Sequence, residues 1–356
     1  MTMTKRVLIA MSGGVDSSAA ALLLQRAGYA CAGAMLKLYD GETAEGGCCS
    51  ADDAEDARAV AARLGMDFYV WNETERFHRE VMDRFVAAYG AGRTPNPCID
   101  CNRCLKFGAL LDRAVALGYD YIATGHYARV LQEGGRYHLL RGRDAHKDQS
   151  YVLYQLTQAQ LAHLLLPVGE YDKDAIRALA AEAGFLNAEK PDSQDICFVP
   201  DGDYVNFLRA YGHVALEEGN FVDKSGKVLG RHRGLAAYTT GQRKGLGVSA
   251  ESRLYVISKD AATNTVLLGD NADLFSRALE ASELNWIEPE PSAPLRVTAK
   301  TRYSQTEAAA TVTPRSDGTV RVDFDDPQRA ITAGQAVVFY DGERVVGGGT
   351  IEKALS

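Results

Sequence analysis

The chain has 356 residues and carries 47 acidic against 39 basic side chains, a net charge of −8, so a uniformly basic nucleic-acid-binding surface is excluded while a local basic face is not. Hydrophobic residues make up 46% and charged residues 24%, an ordinary globular balance, and the length favours two or three domains over one core. No apolar run could span a bilayer, and Met1 to Arg6 leads straight into a strand pattern rather than a signal peptide, which points to the cytoplasm and to mostly reduced cysteines.

The first element predicted is a strand over Val7-Leu8-Ile9-Ala10-Met11, followed by the turn Ser12-Gly13-Gly14-Val15-Asp16-Ser17-Ser18 and a helix through Ala19 to Leu24. A strand, glycine turn and helix in that order aim backbone N–H groups and a helix N-terminus at one point, which suits an anionic phosphate. The loop lacks the Lys of a Walker sequence and holds Asp16 instead. It resembles the PP-loop of the ATP pyrophosphatase superfamily, whose members cleave ATP between the α and β phosphates. That resemblance implies that Asp16 helps to hold Mg²⁺ on pyrophosphate.

Ala30 to Leu38 then reads as a strand, Ala51 to Leu64 as an amphipathic helix, Asp67 to Trp71 as a strand, and Thr74 to Tyr89 and Lys106 to Leu117 as helices. Tyr121 to Thr124 reads as a short strand ending in Gly125-His126-Tyr127. Alternating strands and helices predict an α/β fold with a doubly wound parallel sheet, whose ligands sit at the carboxyl ends of the strands, so Gly125 and His126 are expected beside the Ser12 loop. From about Asp201 the rhythm changes to a helix pattern, Tyr204 to Tyr211, and glycine-broken segments. Beyond Arg277, alternating runs at Leu295–Thr301, Ala308–Thr313, Val320–Phe324 and Ala336–Tyr340 predict a small β-barrel. Three domains are expected: a catalytic one over 1–203, a central α+β one over 204–276 and a C-terminal barrel over 277–356.

Thr94-Pro95-Asn96-Pro97-Cys98-Ile99-Asp100-Cys101-Asn102-Arg103-Cys104 places three thiols at three-residue intervals before a helix pattern, and Cys197 follows in Asp192-Ser193-Gln194-Asp195-Ile196-Cys197-Phe198. A thiol near a helix N-terminus with Arg103 and Lys106 close by favours its thiolate, the reactive form. A zinc site of Cys98, Cys101 and Cys104 lacks a second close pair to complete a tetrahedron. Cys31 and the adjacent Cys48 and Cys49 read as structural or incidental.

These segments, together with Thr124-Gly125-His126-Tyr127, Lys147-Asp148-Gln149-Ser150-Tyr151, Thr240-Gly241-Gln242-Arg243-Lys244-Gly245-Leu246-Gly247 and Lys300-Thr301-Arg302-Tyr303, resemble the bacterial tRNA-specific 2-thiouridylases in order along nearly the whole chain. The resemblance implies thiolation of uridine 34 in the anticodon of the tRNAs for Lys, Glu and Gln: ATP adenylates O2 of the uracil, a persulfide on Cys197 delivers sulfur to C2, and Cys101 resolves it through a disulfide. It further implies an ATP site of Ala10, Met11, Ser12, Gly13, Gly14, Val15, Asp16, Ser17, Leu36 and Gly125. Asn96, Pro97 and Cys98 would meet a flipped base, and His126, Lys147, Asp148, Gln149, Arg302, Tyr303 and Gln335 would contact the tRNA. The sulfur would come from a cysteine desulfurase or a relay protein. One departure stands out: family members carry an acidic residue where this chain has Cys98, so any proton transfer by that carboxylate does not carry over, and Asp100 is the nearest substitute. Cys98, Cys101 and Cys197 could alternatively hold a [4Fe–4S] cluster with one open iron. A PP-loop amide-forming ligase and an RNA-binding protein with a vestigial loop are the alternatives from other classes.

Overall fold

A computed structural model describes residues 4–39, 51–192, 196–214, 216–250 and 252–355. It divides into two compact units: the first holds residues 1–81, 97–202 and 343–345, the second 82–96, 203–342 and 346–356.

In the first unit, strands β1 (Arg6–Ala10), β2 (Ala30–Lys37), β3 (Phe68–Asn72) and β4 (Tyr121–Ala123) and, after a hairpin of β5 (Ala128–Glu133) and β6 (Arg136–Arg141), β7 (Leu164–Leu165) build the chain's predicted sheet. Its order is β3-β2-β1-β4-β7 and all four pairings are parallel. The central strand is covered on both faces, so Val7, Leu8 and Ile9 form a continuous run of fully buried side chains rather than an alternation. Helix α1 (Val15–Arg26) is alanine-rich because it too is enclosed: Ala19, Ala20 and Ala21 are fully buried and share a core with Val60 and Ala61 of α2 (Ala51–Arg63) and Ile176 and Ala180 of the Lys173–Glu182 helix. Cys48 and Cys49 lie outside the described residues.

The helix expected over Thr74 to Tyr89 is present and passes through a π-helical stretch, His78–Met82, between Thr74–Phe77 and Asp83–Gly90. One helix prediction is corrected. The helix expected from Lys106 already starts at Pro97, runs to Cys101, turns π-helical over Asn102–Ala109 and returns to α over Leu110–Ala116. Proline at a first helical position has its φ preset and gives up a donor that has no partner there anyway. Gly108 suits the wider turn, since a Cβ on it would stand 3.0 Å from the carbonyl oxygen of Arg103, five residues back.

The second unit carries the Tyr204–Ala210 helix and β8 (Gly219–Val222), β9 (Val228–His232), β10 (Tyr255–Asp260) and β11 (Thr265–Gly269), a four-stranded sheet ordered β10-β11-β8-β9 around Phe221, Tyr238, Val256 and Val266. It continues with β12 (Phe275–Trp286), β13 (Leu295–Lys300), β14 (Ala308–Pro314), β15 (Val320–Arg329), β16 (Ala336–Asp341) and β17 (Arg344–Leu355). These follow the order β12-β15-β14-β13-β16-β17 and close through a β12–β17 pairing into the expected barrel. Val297 and Ala299, Ala310 and Val312, and Val320 and Val322 fill its core at every second position. Among the described residues no helix is long and apolar enough to cross a membrane.

Candidate active site

The carboxyl ends of adjacent parallel strands bring Ala10, Met11, buried Leu36 and the Gly125 turn to one edge of the sheet. Gly13 adopts φ +75°, and a Cβ there would come within 2.4 Å of the Asp53 carbonyl oxygen, so the loop needs glycine both for its dihedral and for the approach of α2. Gly14 is the N-cap of α1 and contributes no side-chain cap, leaving first-turn N–H groups uncapped by a side chain. The loop is braced from within: the Ser12 N–H donates to Ser17 Oγ at 3.2 Å, and the Ser17 and Ser18 hydroxyls each donate to the Gly14 carbonyl at 3.0 Å. Gly125 presses against it, since a Cβ there would lie 2.6 Å from the Ser17 nitrogen.

Asn187 was not legible in sequence. Its Nδ2 donates to the Gly13 carbonyl at 2.8 Å and to Ser18 Oγ at 3.0 Å, while its buried Oδ1 has no hydrogen-bond partner. Nor did the sequence show Lys173. This buried lysine, first residue of its helix, donates to both Asp16 oxygens at 2.7 and 2.8 Å and to Asp192 at 2.6 Å. The Tyr127 hydroxyl donates to Asp16 at 2.7 Å, and burial together with the Asp16 charge raises its pKa. Asp192 also pairs with Lys147 at 2.8 Å. Burial opposes ionisation of Asp192, but hydrogen bonds from Lys147 and Lys173 outweigh it and hold the carboxyl below its ordinary range.

The Lys147 to Gln149 segment is firmly placed. Buried Asp148 accepts from the Gly142 and Ser150 N–H groups and from the Ser150 hydroxyl, and Gln149 Oε1 accepts from the Tyr127 N–H at 3.0 Å. His126 is buried, with Nδ1 2.7 Å from Thr124 Oγ1; burial, aided by the Lys106 charge, lowers its pKa well below the usual histidine value and keeps the ring neutral.

The Pro97–Cys101 helix exposes Cys98 and buries Cys101, and Asp100 accepts from Arg103 at 2.9 Å, so part of the positive charge expected beside the thiols is already matched. Asn102 donates to the Val152 carbonyl at 3.1 Å, fixing this helix to the segment after Gln149. Cys197 is half-buried in a turn where Val199 N–H donates to the Ile196 carbonyl and Phe198 packs edge-on against Phe77 at 5.7 Å. Ser193, Gln194 and Asp195 lie outside the described residues. Burial pushes the Cys31 thiol up to about 11, which suppresses its thiolate. Among the described residues no three His, Cys, Asp or Glu side chains form a metal-binding group. The structure lends no support to the [4Fe–4S] alternative.

In the second unit, Gln335 Nε2 donates to the Thr94 carbonyl at 2.8 Å, beside Pro95 and Asn96. One Arg302 nitrogen donates to the Thr240 and Ala330 carbonyls and to Thr332 Oγ1, so this side chain ties the Thr240–Gly247 segment to the barrel. Tyr303 is 41% exposed, with the Lys300 ammonium over its ring at 6.0 Å.

Three family models match in succession: a tRNA methyl transferase HUP domain over residues 5–201, a tRNA methyl transferase PRC-barrel domain over 205–270 and an aminomethyltransferase beta-barrel domain over 276–351. The tRNA-specific 2-thiouridylase MnmA of Clostridioides difficile is 49% identical over 100% of both chains, and that of Moorella thermoacetica 53% identical over 97% of this chain and 99% of its own. The enzyme of the same name from Symbiobacterium thermophilum is 50% identical over 99% of this chain and 93% of its own. A solved 4-thiouridine synthetase–RNA complex with bound ATP matches 58% of this chain and 50% of its own at 16% identity, with a TM-score of 0.36. On the full-length identity to these relatives, the chain belongs to the tRNA-specific 2-thiouridylase family.

Proposed function

We propose that this chain catalyses the ATP-dependent 2-thiolation of uridine 34 in the tRNAs for Lys, Glu and Gln, in the cytoplasm. The observation that carries the reading is the phosphate cradle of Ser12 to Ser18, with its uncapped helix start and Gly125 against Ser17. Methyl transfer, after which two of the matching domain families are named, makes no use of a triphosphate, whereas adenylation requires one.

In this reading O2 of the uracil attacks the α-phosphorus of ATP and pyrophosphate leaves. Asp16 is the loop carboxylate that would hold a Mg²⁺ on the triphosphate, where the ion would offset the phosphate charge. Adenylation makes C2 electrophilic and turns its oxygen into a leaving group. The terminal sulfur of a persulfide on Cys197 bonds to C2 as AMP departs, which leaves a disulfide between that sulfur and Cys197 Sγ. The Cys101 thiolate then attacks Cys197 Sγ, forming a Cys101–Cys197 disulfide and releasing the 2-thiouridine; a dithiol reductant reopens the disulfide for the next turnover. A cysteine desulfurase or relay protein supplies the persulfide.

The anticodon stem-loop is the partner. Asn96, Pro97 and Cys98 meet the flipped base, and His126, neutral in its buried site, offers a hydrogen bond rather than a charge. Lys147, Asp148, Gln149, Arg302, Tyr303 and Gln335 complete the contacts, Lys147 and Arg302 through charge and Tyr303 through its ring. The domains divide at about 203 and 276.

The test is thiolation of an unmodified tRNA for Glu by metal-free enzyme with ATP, Mg²⁺ and a persulfide donor, read by retardation on a mercury gel. A retarded band is expected. Its absence, with tRNA bound and persulfide present on Cys197, would overturn the reading.

A further inference from the structure

The glycine loop lacks the lysine that a Walker loop brings to the β and γ phosphates, yet a lysine stands against it from a helix 157 residues downstream of Asp16. We propose that Lys173 is the triphosphate-binding cation of this site, and that Asp192 holds it in position. The proposal rests on the ATP-dependent reading above and deepens it.

Three observations carry it. Lys173 is buried, and its ammonium lies 2.7 and 2.8 Å from the carboxylate of Asp16, a residue in the first turn of α1. A cation is therefore fixed within one turn of the helix start, where the backbone already favours an anion. Second, the local charges are closely matched. Lys173, Lys147 and Arg177 face Asp16, Asp192 and Asp144, the last accepting the backbone N–H groups of Lys147 and Lys173. A triphosphate can be met there when one carboxylate changes partner. Mg²⁺ carried by ATP is the natural new partner for Asp16, and the exchange leaves two ammonium donors of Lys173 for phosphate oxygens. Third, Asp192 keeps its own bond to Lys173 and a second one to Lys147, so the ammonium stays anchored through the exchange. One of the two carboxylate partners of Lys173 belongs to the phosphate loop itself.

The experiment compares ATP and AMP binding by titration calorimetry with Mg²⁺ present, using the full chain and the variants Lys173→Met, Lys173→Arg and Asp192→Asn. AMP lacks the β and γ phosphates, so it reports the integrity of the rest of the pocket. Lys173→Met is expected to weaken ATP by about tenfold to a hundredfold while AMP affinity stays unchanged, as for loss of a charge-assisted bond. Lys173→Arg is expected to recover part of the ATP affinity, and Asp192→Asn to keep only a reduced preference for ATP over AMP. Equal weakening of ATP and AMP by Lys173→Met would reduce the lysine to a brace for the loop and overturn the proposal, as would no weakening at all. An ATP preference left unchanged in Asp192→Asn would remove Asp192 from the positioning role and overturn that part of the proposal. Failure of the unaltered chain to thiolate tRNA while it still prefers ATP would instead strike the functional reading and leave Lys173 in place.

Discussion

Gly125→Ala tests the arrangement of the phosphate site with a single methyl group. The new Cβ would stand 2.6 Å from the Ser17 nitrogen, 2.7 Å from the Asp16 carbonyl carbon and 2.9 Å from Asp16 Cβ. Two of these are backbone atoms at the start of α1, whose Ala19 to Ala21 face is fully buried, so neither side can yield by a rotamer change. Such overpacking costs about 1–3 kcal/mol. In a domain of about 200 residues that lowers the melting temperature by roughly 2–12 °C. Because the displaced atoms carry the loop's N–H donors, ATP affinity should fall together with stability. Thermal melts followed by circular dichroism, paired with ATP titration, measure both. Gly90→Ala is the control: a Cβ there meets nothing within 4 Å, and the melt should hold or rise slightly. A Gly125→Ala protein that melts within about 1 °C of the parent and binds ATP equally well would refute the close packing of Gly125 on Ser17.

Other outcomes follow from the same geometry. Cys101→Ser and Cys197→Ser should each abolish thiolation while preserving tRNA-dependent pyrophosphate release; thiolated product from either variant, seen on a mercury gel, would refute the two-thiol scheme. His126 has a folded-state pKa below its unfolded value of about 6.5, so its contribution to stability is complete above that pH and is lost as pH falls. Urea midpoints measured between about pH 7 and pH 5 should therefore decline less steeply in His126→Gln than in the parent, and parallel slopes would contradict the buried neutral ring. Arg302→Ala takes the guanidinium from the Thr240 carbonyl and Thr332 Oγ1, while the Ala330 carbonyl keeps the Thr332 hydroxyl, which should destabilise the protein by about 1–3 kcal/mol besides weakening tRNA binding. Unchanged chemical stability of that variant would mean that the guanidinium is not the tie described here.

Much of the catalytic unit was legible because its signals are local. The Val7–Met11 run, the glycine turn and the alanine-rich helix each carry their own periodicity, and the alternation of strands and helices fixes the carboxyl edge of a parallel sheet as the place for ligands. Lys173 and Asn187 were not legible: within Asp172-Lys173-Asp174 the lysine reads as part of a solvated charge run, and only the folded chain brings it to Asp16. The β5–β6 hairpin did leave a signal, Gly134-Gly135 between two apolar runs, both glycines with positive φ in the turn. The last strand was hidden for a different reason. Gly347-Gly348-Gly349 reads as a loop, but these residues lie within β17, where a Cβ on Gly347 would come 2.4 Å from the Asn285 carbonyl oxygen and one on Gly349 2.6 Å from Leu284 Cδ2. Barrel closure, not local propensity, selects glycine there.

The first unit draws three of its residues, Glu343, Arg344 and Val345, from near the end of the chain. They lie along β6, where Arg344 pairs with Leu140 and the Arg141 N–H donates to the Glu343 carbonyl at 2.9 Å. During synthesis this strand therefore waits for its neighbour while some 200 further residues are made, roughly 10–40 seconds at about 5–20 residues per second. Until then β6 lacks its neighbour at the Leu140 end of an edge whose Tyr137 is already held by the Gln158 side chain, and an uncovered strand edge is the kind of surface that recruits other chains. A fragment ending at residue 203 would lack that neighbour altogether.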